Sequence, residues 1–137
     1  MRYRKTVGIA VATVALGVVG VPQAFAAPDH VMYTNDVFFP GMDPGGKVEF
    51  TEHGDIVKLC DNDADGDAAY LTVFDGSREG REFYRLRAGG EGNCTTVRAS
   101  MGGTYNLPER KIYFLICRGD DHLSAGYCNG TAWLNDH

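Results

Sequence analysis

Beyond its first two dozen residues this sequence has no apolar run approaching the ~18 residues that a membrane-spanning helix needs. Nor does any stretch repeat apolar residues at i, i+3, i+4 and i+7 over three turns, which argues against an α-helical fold. No two of the four cysteines stand in a C-x₂₋₄-C spacing, and His30, His53, His122 and His137 are scattered, so the common zinc arrangements are missing. There is no G-x-S-x-G elbow, and Ser77, Ser100 and Ser124 have no histidine at a diagnostic distance. Positive charge is also in deficit, with 13 Lys and Arg against 18 Asp and Glu.

What is present begins with Arg2, Arg4 and Lys5, an uncharged and mostly apolar run from Val7 to Val21, and a small-x-small signal at Ala24-Phe25-Ala26. That order of basic start, short apolar core and small-residue site is the grammar of a secretory signal peptide. Cleavage after Ala26 is favoured over cleavage after Ala27, which would place Pro28 next to the scissile bond. The sequence thus predicts a leader over 1–26 and a single secreted domain over 27–137, acting extracellularly with no membrane attachment after cleavage. Removing the leader leaves ten basic residues against 18 acidic ones, a net charge of −8. Such a surface repels phosphate backbones and anionic bilayers, which argues against nucleic acid as a partner.

Cys60, Cys94, Cys117 and Cys128 are even in number and bound for an oxidising compartment, so two disulfides are expected. Of three connectivities, Cys60–Cys94 with Cys117–Cys128 is favoured. The second pair closes a short loop between two strand-like runs, and the first ties an early strand to a middle one. On the chain-entropy model, loops of these lengths contribute roughly 3 to 4 kcal/mol each.

Strand signals dominate the domain. They run over Val31 to Phe39, Lys47 to Glu52, Ile56 to Cys60, Ala68 to Asp75, Arg81 to Arg87, Cys94 to Ser100, Lys111 to Cys117 and Cys128 to Leu134. Both faces of Ala68 to Asp75 carry apolar weight, which marks a central strand. Phe83 and Leu86 cannot share a face without a bulge. Ala88 to Asn93 reads as irregular, and Arg118 to Tyr127 as a polar loop. Seven to nine short strands point to an all-β fold, a disulfide-stapled β-sandwich of immunoglobulin-like or jelly-roll-like kind.

Asp61-Asn62-Asp63-Ala64-Asp65-Gly66-Asp67 is the sharpest chemical pattern. Carboxylates at alternate positions, with glycine sixth, match the first half of a calcium loop, so Asp61, Asp63, Asp65 and Asp67 are candidate Ca²⁺ ligands. The match stops at position 12, which is Thr72 rather than a bidentate glutamate. The alternative is a tight acidic turn in which Asp side chains bond nearby backbone and Gly66 takes a positive φ. The segment from Asp61 to Tyr70 also resembles the D-x-x-A-D-G-x-x-A-Y signature of uncharacterised small secreted actinobacterial proteins. That resemblance implies a strand–turn–strand element and a shared lineage; it implies no reaction, and it favours the turn over the ion.

Three further constellations carry side chains suited to chemistry or binding. Glu52, His53 and Asp55 sit at a hairpin tip, where exposure gives no means of shifting a pKa by burial. Trp133 and Tyr127 could share an aromatic platform for sugars, although a lone Trp in a small β domain more often packs inside. The loop between Cys117 and Cys128 offers Arg118, Asp120, His122 and Leu123 as a candidate binding loop, because a clamped loop binds with less ordering cost. With all cysteines committed to bridges, no thiol is spare for catalysis. The expectation is a non-catalytic binding or structural protein with no cofactor other than the candidate calcium, and an unknown protein or small ligand as partner. The alternative is a secreted protease inhibitor or small-ligand carrier. Actinobacterial subtilisin inhibitors and chromoprotein carriers share the size and disulfide count, but their motifs are absent.

Overall fold

The computed structural model describes residues 26–137; the expected leader, apart from Ala26, lies outside the described residues. Eight strands follow in order: β1 (His30–Tyr33), β2 (Gly46–Thr51), β3 (Ile56–Asp61), β4 (Ala68–Asp75), β5 (Glu82–Gly89), β6 (Cys94–Val97), β7 (Lys111–Gly119) and β8 (Gly126–Leu134). They form two antiparallel four-stranded sheets, β1-β2-β3-β6 and β5-β4-β7-β8. Among the described residues the helical content is two short 3₁₀ turns, Ala99–Met101 and Gly103–Tyr105.

Alternation along the strands builds the core. Val48 and Phe50 from β2 and Val57 and Leu59 from β3 meet Ala69, Leu71 and Val73 from β4 and Ile112, Phe114 and Ile116 from β7. All of them are fully buried, and each large side chain contributes roughly 1.5–3 kcal/mol by leaving water. β4 is central, pairing with β5 on one side and β7 on the other. Its outer residues Tyr70 and Thr72 are buried as well, which explains why both of its faces carry apolar weight. The bulge lies at Phe83: Val73 pairs with Tyr84 and Phe74 with Glu82. Skipping one residue lets Phe83 turn toward the core alongside Leu86.

Both disulfides are Cys60–Cys94 and Cys117–Cys128. Each joins neighbouring strands of one sheet, β3 to β6 and β7 to β8, and neither crosses the core. The sheets are tied to one another along their edges by hydrogen bonds. Asn35 N–H donates to Tyr127 O (2.8 Å), Asn129 Nδ2 donates to Tyr33 O (3.0 Å), and Thr95 Oγ1 donates to Arg87 O (2.6 Å).

Several boundaries differ from expectation. β1 stops at Tyr33 instead of running to Phe39, because Asn35 leaves the ladder for Tyr127 and Asp36 is anchored elsewhere. β5 continues through Ala88 and Gly89, and the chain after Val97 winds into a 3₁₀ turn. The polar loop shrinks to 120–125, since Arg118 and Gly119 extend β7. Asp55 is a clear correction. It is completely buried despite its place at a hairpin tip, with φ at 49°. Its carboxylate accepts from Leu107 N–H (2.8 Å) and Asn135 Nδ2 (2.9 Å), so the β6–β7 connection and the chain after β8 close over it. Trp133 likewise packs on the core beside His30, Phe50 and Phe114. Tyr127 lies six residues away at the other end of β8, about 20 Å along an extended strand, so the two form no common platform.

Candidate functional site

Because every neighbouring strand is antiparallel, the segments 34–45, 62–67, 90–93 and 120–125 gather at one end of the sandwich. Arg118, at the close of β7, organises that end. Its side chain is only 16 % exposed, and its guanidinium meets three carboxylates. Nη1 donates to Asp36 Oδ2 (2.7 Å), while Nη2 donates to Asp67 Oδ2 (3.0 Å) and to Asp65. Its flat cation also lies 5.8 Å from the Tyr127 ring centre. Asp36 is 1 % exposed and is further held by Thr34 Oγ1 (2.8 Å) and Gly45 N–H (3.0 Å). Position 45 must be glycine, since a Cβ there would stand 2.8 Å from Asp36 Oδ2. Burial pushes the Asp36 carboxyl up, yet the hydrogen bonds from Arg118, Thr34 and Gly45 together hold it below the ordinary aspartate value.

The acidic segment folds back on its own backbone. Asp63 N–H donates to Asp61 Oδ1 (3.1 Å), Asp67 N–H to Asp65 Oδ1 (2.9 Å), and Gly66 has φ +87°. These are the bonds of an Asx turn. Asp61 spends its other oxygen on Gly90 N–H (2.7 Å), across in the β5–β6 loop. Among the described residues no group of three or more Asp, Glu, His or Cys side chains converges in a way that would hold a metal ion. One guanidinium does not neutralise three carboxylates. The Asp67 carboxyl is pushed above the usual aspartate value, first by desolvation and then by the Asp120 and Asp61 carboxylates.

The β7–β8 loop is tied down by more than its disulfide. Tyr70 Oη donates to Asp120 O (2.9 Å), His122 Nε2 lies 3.2 Å from Thr72 Oγ1, and the His122 ring meets Tyr70 edge-on. Asp121 Oδ1 accepts from Leu123 N–H (2.7 Å) and Ser124 N–H (2.9 Å), fixing a turn. Of the four expected loop residues, Arg118 is withdrawn into the carboxylate cluster, while Asp120 and His122 are bound to β4. The hold on Asp120 is through its backbone carbonyl and leaves its side chain exposed, and Leu123 projects, 94 % exposed. Burial lowers the His122 pKa, and Arg85 lowers it further.

The β1–β2 segment contributes what the sequence reading placed inside a strand. Phe38 and Phe39 are 60 % and 69 % exposed, with Val37, Met42, Tyr33 and Tyr127 also open to solvent. Phe38 meets Tyr127 edge-on at 5.4 Å. Charge at this end is one-sided. The four segments and the last two strand residues on either side of them hold Asp36, Asp43, Asp61, Asp63, Asp65, Asp67, Glu91, Asp120 and Asp121, against Lys47 and Arg118. That sums to −7, most of the net −8 of the chain after residue 26.

Compared with protein-family models, curated proteins and solved structures, the chain matches none.

Proposed function

We propose that this chain is a non-catalytic secreted binding protein, of the actinobacterial lineage suggested by its D-x-x-A-D-G-x-x-A-Y segment, and that its loop end docks a basic protein. The observation that carries the reading is the juxtaposition of Val37, Phe38, Phe39 and Met42, all exposed, with an end that holds most of the molecule's net negative charge. Single exposed apolar side chains are ordinary on any surface; a run of them beside further exposed aromatics marks an interaction site. Acidic groups around an apolar centre steer a cationic partner and then leave the contact to aromatic burial. The fixed Asp36–Arg118 frame beneath the segment lowers the ordering cost of binding.

The test is capture of extracellular proteins by the exported form, beginning at Ala27, in parallel with a Phe38→Ser/Phe39→Ser variant. A basic protein retained by the first, lost by the second and released by salt supports the proposal. Identical capture by both forms would overturn it.

Protease inhibition is favoured by a different observation, the near-complete exposure of Leu123 on a loop clamped by Cys117–Cys128. Tight inhibition of an extracellular protease that disappears in Leu123→Ala would support this second reading. An inactive panel would remove it and leave the loop end untouched.

A further inference from the structure

We propose that the cleft between the outer face of the β5-β4-β7-β8 sheet and the β7–β8 loop binds a small ligand bearing a carboxylate on an apolar body. The cleft is about 270 Å³, at the small end of ligand sites. Tyr70 and Thr72 of β4 form its floor, Arg85 of β5 and Arg78 of the β4–β5 turn one side, and His122 and Leu123 the other.

Its chemistry is opposite to that of the molecule as a whole. In a domain of net charge −8, no Asp or Glu lines this cleft, and two arginines do. Arg78 has no carboxylate within ion-pair distance among the described residues, and Arg85 shares a single bond with the rim residue Glu82 (2.7 Å). A third arginine stands behind them, Arg87, whose Nε donates to Tyr70 Oη (3.3 Å). Asp121, the nearest loop carboxylate in sequence, is engaged by the backbone of its own turn. The remaining lining is apolar: Leu115, Leu123 and the Cys117–Cys128 bridge.

Two guanidinium forks favour a planar carboxylate, which accepts paired N–H bonds, over a spherical anion. The apolar side offers contact to a short hydrocarbon body. Pre-organisation follows from the bonds already in place, since Tyr70 is fixed to Asp120 and Thr72 to His122 before any ligand arrives. This site is independent of the loop-end docking surface, so either can fail alone.

The experiment is titration of the oxidised protein with hexanoate, with N-acetyl-leucine and with sodium sulfate at constant ionic strength, followed by backbone and imidazole NMR shifts. Saturable shifts centred on Thr72, His122 and Leu123 are expected with at least one carboxylate. Arg78→Gln and Arg85→Gln should each weaken binding about tenfold, the usual effect of losing one charge-assisted bond. Arg98→Gln, which removes the same charge away from the cleft, should leave it unchanged. Response to hexanoate alone assigns the site to free small acids, and response to N-acetyl-leucine alone assigns it to peptide C-termini; either supports the proposal. Absence of saturation with both carboxylates, equal binding of sulfate, or equal weakening by Arg98→Gln would overturn it.

Discussion

Arg118 joins three segments that are far apart in the chain: the β1–β2 segment through Asp36, the β3–β4 turn through Asp65 and Asp67, and its own strand. Removing one member of a buried pair strands the other charge, which costs about 3–5 kcal/mol, whereas a partly exposed pair is worth about 1 kcal/mol or less. Arg118→Met should therefore destabilise by about 3–5 kcal/mol in a urea melt, and Asp65→Asn by no more than about 1 kcal/mol. Equal effects would mean that Asp36 is not the dominant partner. Four groups at this end of the fold shape the pH dependence: Asp36 and His122 lead, Asp121, lowered by its turn, adds to the acid-side decline, and Asp67, raised by folding, opposes it. Asp36 titrates lower folded than unfolded, so its contribution is complete above about pH 4 and is lost as pH falls through its folded value. The His122 pKa is also depressed by folding, and for a base the unfolded chain then takes up the proton first. Its contribution is complete above about pH 6.5 and declines as pH falls through that value. Melts between pH 7 and 3 should show both declines, and His122→Gln should erase the upper one. The sequence displayed Arg118 and the aspartates as separate curiosities. Their pairing, across more than 50 residues, depends on strand register and could not be read from spacing.

The strands were legible because a half-buried β-strand writes its environment into a period of two. β2, with its buried and half-buried residues in strict alternation, was readable for that reason. The segment after Tyr33 defeats the same rule. Val37-Phe38-Phe39 has the composition of a core strand, but Asp36, fixed by Thr34, Gly45 and Arg118, turns the chain outward before it can pair. The cleft was equally hidden, since its floor comes from β4, one wall from the β4–β5 turn and β5, and the other from a loop 50 residues later. Two predictions belong at this scale. Replacing Cys117 and Cys128 by Ala should cost about 3 kcal/mol, and replacing Cys60 and Cys94 about 4 kcal/mol, following the longer closed loop. Denaturant midpoints of the two double variants give the order. For the β3–β4 turn, thermal melts in millimolar calcium and in EDTA should coincide. Arg118 already engages Asp65 and Asp67, and Asp61 is spent on backbone N–H groups. A calcium-dependent rise in midpoint that vanishes in Asp63→Ala would show the turn to be an ion site after all.

At the scale of the molecule the charge is polarised, with most of the excess of carboxylate at the loop end and the remaining acidic and basic residues nearly balanced elsewhere. Association with a basic partner should thus be fast at low salt and fall steeply as ionic strength rises past about 0.15 M, where the Debye length is about 8 Å. Stopped-flow rates measured over a salt series check this. A flat series would assign the contact to the aromatic residues alone. The arrangement of the two disulfides carries a mechanical consequence as well. Because each one closes within its own sheet, a pull across the two termini bypasses most of the chain between residues 60 and 94 and between 117 and 128. The oxidised molecule is a tether of limited reach, and reduction would lengthen it by about 150 Å at roughly 3.5 Å per released residue.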